Sequence, residues 1–131
     1  MNKKKNEELM QKADNALKNT NKVKILKGTS IKDSYNGQTA ALGVTIAMTG
    51  IRPALAIYQK ETESCKRIEI LNAIALMMGI DSETRKPGEE LFQKVMGCNP
   101  DELKIYKQKV LECSIALKQV IRTYKLESDG N

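Results

Sequence analysis

The sequence predicts an all-α fold, a single-domain compact helical bundle of about five to six helices with a long C-terminal helix. Three observations carry this. Apolar residues recur three and four apart through most of the chain, the period of a helix with one buried face. Lys, Glu, Leu, Ile and Ala are abundant and there are only three Pro, a composition that favours helix over sheet. Glycines and prolines punctuate the periodic stretches, as helix stops and starts do. At 131 residues such a chain buries roughly two thirds of its unfolded surface, enough for a core. With no Trp and one Phe, that core must be aliphatic. One domain is expected over 1–131, with residues 1–5 and 126–131 frayed.

Helix one is expected over Asn6–Lys27. Leu9, Ala13, Ala16, Thr20 and Val23 recur at helical spacing, Met10 and Leu17 widen the stripe, and Lys12, Lys18, Lys22 and Lys24 lie off it. That makes one apolar and one basic face. Gly28 is the stop, Thr29–Asp33 a connector, and Asp33 or Ser34 the next cap. Helix two is expected from Tyr35 to Thr49. Its Ala, Gly, Thr and medium apolar residues leave little polar face, which predicts a central helix buried on most sides. Gly43 within it is less favourable than Ala by ~1 kcal/mol, which suggests a close helix crossing. Gly50 suits a left-handed helix end and Pro53 the first turn of helix three, which ends around Lys60 or continues. Glu61–Ser64 is a polar break in which Thr62 or Ser64 caps the next helix.

Helix four is expected over Cys65–Met78, with Cys65, Ile68, Leu71, Ala75 and Met78 in one stripe and Gly79 after it. Asp81–Gly88 (DSETRKPG) is the strong loop signal and the expected mobile segment. Helix five, Glu89–Met96, turns Leu91, Phe92 and Val95 inward. Helix six has the sharpest start. Asn99 is a good N-cap, Pro100 a good first residue, and Asp101 and Glu102 complement the positive end of the helix dipole. Leu103, Tyr106, Val110, Cys113, Leu117, Val120 and Tyr124 then form the seam of a long amphipathic helix crossing a bundle.

Charge is distributed unevenly. Residues 1–32 hold nine Lys against Glu7, Glu8 and Asp14, whereas residues 33–131 hold thirteen basic and thirteen acidic residues. The excess of six therefore lies in the first quarter. A one-ended basic segment is a candidate surface for phosphate or an acidic partner, although a lysine-rich helix that merely keeps the protein in solution has the same composition. Lys12, Lys18, Lys22 and Lys24, with Arg52 at the corner after helix two, are the candidate nucleic-acid-facing residues. Lysine predominates, which suits point-charge contact with phosphates rather than reading of base edges. Tyr35 and Tyr58 are the only candidate stacking platforms.

Catalytic signatures are missing from the sequence. It has no His, the commonest general base and metal ligand at neutral pH. It has no phosphate-cradling glycine loop. Glu89-Glu90 and Asp101-Glu102 stand at helix starts, where the dipole accounts for them. Cys65, Cys98 and Cys113 show no CxxC spacing, so neither a disulfide framework nor a zinc site is expected. They suit small apolar packing in a reduced, cytoplasmic protein. The run Ala40–Tyr58 is broken by Arg52, Pro53 and two Gly and falls short of the ~20 apolar residues a membrane span needs. The expectation is a protein that is not an enzyme, with no catalytic residue, metal, cofactor, small-molecule substrate or membrane partner.

The stretch YNGQTAALGVTIAMTGIRPALAIYQKE (Tyr35–Glu61) resembles the central motif of the small α-helical subunit of type III-B CRISPR RNA-guided effector complexes, the fifth Cmr-type protein. In that family a helix rich in small residues meets a Gly-Leu-x-Pro-Ala-Leu-Ala-Phe-like corner. Gly50, Ile51, Pro53, Ala54, Leu55, Ala56 and Tyr58 stand at those positions, with Ile51 and Tyr58 replacing Leu and Phe. The order of elements is also similar. The resemblance implies a non-catalytic structural subunit that stacks along a ribonucleoprotein filament, against backbone subunits and copies of itself. It implies a basic groove for the guide–target RNA duplex in antiviral defence. The alternative is a free-standing helical nucleic-acid-binding or regulatory module, which would need base-reading Arg, Asn or Gln on a recognition helix.

Overall fold

The computed structural model describes residues 1–60 and 65–128. The Glu61–Ser64 break with its Thr62 or Ser64 cap, and residues 129–131 of the tail, lie outside the described residues. Six α-helices and a three-stranded sheet form in the order α1 (Lys3–Lys18), β1 (Leu26–Lys27), β2 (Ser30–Lys32), α2 (Asp33–Thr49), α3 (Ile51–Ile57), α4 (Ile68–Met77), α5 (Pro87–Met96), α6 (Pro100–Ile121) and β3 (Lys125–Glu127). The all-α expectation holds, and the small sheet is an addition to it. No helix among the described residues is long and apolar enough to cross a membrane.

Helix α1 begins earlier and ends sooner than expected. Asn2 caps it by accepting from the Lys5 N–H at 2.8 Å, so residues 3–5 are helical rather than frayed. It stops at Lys18 because Asn19, Thr20 and Asn21 come next, residues that favour turns over helix interiors. Val23 and Ile25 are then buried while Lys24 is exposed, which is the alternation of extended chain. The helical spacing of Thr20 and Val23 is coincidental. β1 and β2 pair antiparallel with Lys27 opposite Ser30. Gly28 opens the two-residue turn at φ 61, a conformation that Gly adopts without steric cost. β3 adds parallel to β2, with Ile31 opposite Leu126 and Lys32 opposite Glu127. Leu126 and Glu127 are thus strand rather than fraying tail.

The buried centre is α4, not α2. Every α4 residue except Leu76 is buried, and α1, α5 and α6 pack around it. α2 packs on α6 and α3 and buries only Tyr35, Thr39, Leu42 and Ile46. Ala40, Ala41, Val44, Ala47 and Met48 face outward, Val44 and Met48 at 60% and 79% exposure. Small residues made α2 look buried by composition, whereas its position leaves one face open. Gly43 marks no unusually close crossing: a Cβ there would lie 3.7 Å from Leu111 Cδ2, ordinary van der Waals contact. The tight glycine is Gly88. A Cβ on it would lie 2.8 Å from Leu71 Cβ and 2.9 Å from Asn72 Oδ1. Pro87 and Gly88 are buried at the start of α5, so the predicted loop closes on α4 at its end.

A buried polar network fixes this centre. Glu69 Oε1 accepts from the Lys24 N–H at 2.7 Å and from Asn72 Nδ2 at 3.1 Å. Asn72 Oδ1 accepts from the Gly88 N–H at 2.8 Å. The incoming extended segment and the α5 start are therefore both hydrogen-bonded to α4, as buried polar groups require. The start of α6 is as expected: Asn99 Oδ1 accepts from the Glu102 N–H and Glu102 Oε1 from the Asn99 N–H, each at 2.9 Å, a reciprocal capping box. Val110, Cys113, Leu117 and Val120 of its seam are buried, with Leu103, Tyr106 and Tyr124 packed at the margin.

Candidate nucleic-acid interface

The five basic residues singled out from sequence meet different fates. Lys12 is exposed on α1. Lys18 Nζ pairs with Asp14 at 2.7 Å, and Lys22 pairs with Asp81 across the bundle. Lys24 is exposed, its ammonium donating to the Thr20 carbonyl at 2.6 Å. Arg52 is half-buried and faces the C-terminal end of α5. It donates through Nε to the Val95 carbonyl at 3.2 Å and through a terminal nitrogen to the Cys98 carbonyl at 2.7 Å. Those carbonyls lie at and just past the end of α5, where helix acceptors lack intrahelical donors and Val95 also takes the Cys98 N–H, so Arg52 is a clamp between α3 and the α5 end.

The corner residues are structural in the same sense. Gly50 has φ 89 and ψ 162, a region essentially restricted to Gly. Ile51, Ala54, Leu55 and Tyr58 are buried, while Pro53 and Ala56 are exposed, so the motif carries one core-facing stripe of α3. Tyr58 donates its hydroxyl to the Gln38 carbonyl at 2.6 Å, and the Arg67 guanidinium lies 5.4 Å from its ring centroid. Burial raises its pKa above the ordinary phenol value. Tyr35 and Tyr58 are both buried, and neither offers an open face to a base.

Charge around α1 is partly bound to the rest of the bundle. Lys5 Nζ meets Glu112 of α6 at 2.8 Å, and the Tyr124 hydroxyl donates to Asp14 at 2.7 Å. The Lys18 and Tyr124 hydrogen bonds hold the Asp14 carboxyl below its usual range. Lys22, with the Ser82 N–H, lowers Asp81. Lys5, with Gln108, lowers Glu112. Lys12, Lys5 and Lys109 all act on the buried Cys113 thiol, yet burial dominates and pushes it up to about 11.

The structure gathers Lys27, Lys32 and Lys66, none of them singled out from sequence, around the candidate Lys24. Lys24, Lys27, Lys32 and Lys66 line a groove of about 410 Å³ between the hairpin and the start of α4, with Glu69 and Glu127 in the same wall. Its signal was the alternation in Val23–Lys32, obscured by a coincident helical spacing. Lys66 is brought there by tertiary contact alone.

These observations converge with comparison to known proteins. No curated protein and no solved structure matches the chain. A family model described as CRISPR-associated protein (Cas_Cmr5) matches residues 8–124. That match runs from α1 past the end of α6 and includes the Gly50–Tyr58 corner. The chain belongs to the Cas_Cmr5 family, the small helical subunits of type III-B CRISPR complexes, and associates with other Cmr subunits.

Proposed function

We propose that this protein is a non-catalytic, single-domain structural subunit that stacks along a type III-B CRISPR ribonucleoprotein in the cytoplasm. It packs against backbone subunits and copies of itself, and its lysine-rich end faces the backbone of the guide–target RNA duplex during antiviral defence. The single observation that carries the RNA contact is the charge asymmetry, nine Lys against three acids in the first 32 residues. Base pairing between guide and target supplies sequence recognition in such complexes, so shape and charge suffice for the protein. Lys12 and Lys24, exposed on the first quarter, suit this role best among the sequence candidates. Lys18 and Lys22 face the same polyanion only in competition with Asp14 and Asp81.

The test is fluorescence anisotropy of the full chain with labelled RNA across a salt series. The expected result is weak binding without sequence preference, with a log–log salt slope near roughly −3 for four phosphate contacts. Co-purification of guide RNA and larger subunits with the tagged chain is the companion result. Tight, sequence-specific binding to a short DNA duplex would replace this reading with a free-standing helical module.

A further inference from the structure

We propose that the groove between the hairpin and α4 seats a ribose-phosphate unit of an RNA strand, with Lys27 and Lys32 on the phosphates and Glu127 accepting from the ribose 2′-hydroxyl. The inference rests on the RNA-facing reading above and gives it a location. Lys24, Lys27, Lys32 and Lys66 reach this groove from separate places in the chain. Lys27 and Lys32 lie on β1 and β2, whose pairing fixes their spacing. The volume of about 410 Å³ falls in the range of small-ligand sites.

The two carboxylates decide the class of ligand. Glu69 and Glu127 share the wall with the lysines, and they weaken the site for an anion that only accepts hydrogen bonds. A ligand anionic at one edge and donating at another uses both kinds of group. An RNA backbone has that character, because each phosphate is accompanied by a 2′-hydroxyl that DNA lacks. Glu69 is 5% exposed and its Oε1 already receives the Lys24 N–H and the Asn72 amide. Glu127 is exposed and stands opposite Lys32 on the parallel strand β3. It is the carboxylate positioned to meet a ribose beside a phosphate held by Lys32.

The experiment measures anisotropy of the full chain with single-stranded RNA and DNA of one sequence across a salt series. Wild type, Lys27→Ala/Lys32→Ala, Glu127→Gln and Lys104→Ala are compared, each checked by circular dichroism melting. Wild type is expected to prefer RNA. The double variant should flatten the slope on RNA by about 1.4, two phosphate contacts at roughly 0.7 each. Glu127→Gln should narrow the RNA preference at unchanged slope, and Lys104→Ala, at an exposed position on α6, should leave both unchanged. RNA binding with an unaltered slope in the double variant overturns the groove while the broader RNA reading stands. Equal binding of RNA and DNA by wild type, or an undiminished preference in Glu127→Gln, overturns the ribose contact. Absence of RNA binding by wild type overturns both readings.

Discussion

At the scale of single residues, Gly88 shows how far a side chain's role depends on distant neighbours. Helix propensity alone would make Ala there better than Gly by up to ~1 kcal/mol. A Cβ at this position instead meets Leu71 and the Asn72 backbone N at 3.0 Å or less. Gly88→Ala is therefore expected to destabilise by about 1–3 kcal/mol, the cost of overpacking. It should appear as a lower urea midpoint at unchanged m-value. Arg52 teaches the same lesson. A guanidinium beside a corner suits a phosphate contact, but its donors meet carbonyls at and just past the end of α5. Arg52→Ala should lower stability by about 1–3 kcal/mol through loss of hydrogen bonds from a charged donor, with the RNA salt slope unchanged. The Asn99 cap was legible because the Glu102 N–H it accepts lies three residues away. The partners of Gly88 and Arg52 lie 16 and more than 40 residues away.

Among the elements, the boundaries set by caps and glycines were legible, whereas burial and strand pairing were not. Helix composition named α2 as the centre, yet a run of Ala, Gly and Thr fits an open face as well as a closed one. Its threonines satisfy themselves by donating to carbonyls four residues back, Thr39 to Tyr35 at 2.7 Å and Thr45 to Ala41 at 3.0 Å, so those hydroxyls need no partner outside the helix. α4 was distinguishable only by what surrounds it. A paired measurement separates the two helices. Met48→Lys on the open face of α2 should shift unfolding by no more than about 0.5 kcal/mol, while Ile74→Ala in α4, fully buried, should cost about 2–5 kcal/mol. The hairpin escaped detection because Val23 satisfies both a helical and an extended pattern. β3 escaped because its partner strand lies more than 90 residues earlier in the chain.

For the whole molecule, the titrating groups set a pH window. The folded chain holds Asp14, Asp81 and Glu112 below their ordinary pKa values. As pH falls, the unfolded chain takes up these protons first. Their contribution is thus complete above about pH 5 and is lost on acidification through the lowered folded values. At the alkaline end the sign reverses. Burial raises Cys113 to about 11 from 9.0, and burial with the Asp14 hydrogen bond raises Tyr124 to about 12 from 10.0. The unfolded chain releases those protons first, so stability falls as pH rises from about 9 towards 12. Thermal melts should show a plateau between about pH 5 and 9, with the acid arm weakened in 1 M salt because Lys18, Lys22 and their partners are solvent-accessible.

The pairing of β2 with β3 has a consequence for synthesis. Ser30–Lys32 must wait for Lys125–Glu127, and Asp14 for Tyr124, so a ribosome has to translate through Glu127 before these early segments can find their partners. Early helices can form in the exit vestibule, but docking of distant segments comes last and is slow for loops of this length. A chain that stops before Tyr124 therefore lacks both the β3 strand beside β2 and the hydroxyl that meets Asp14.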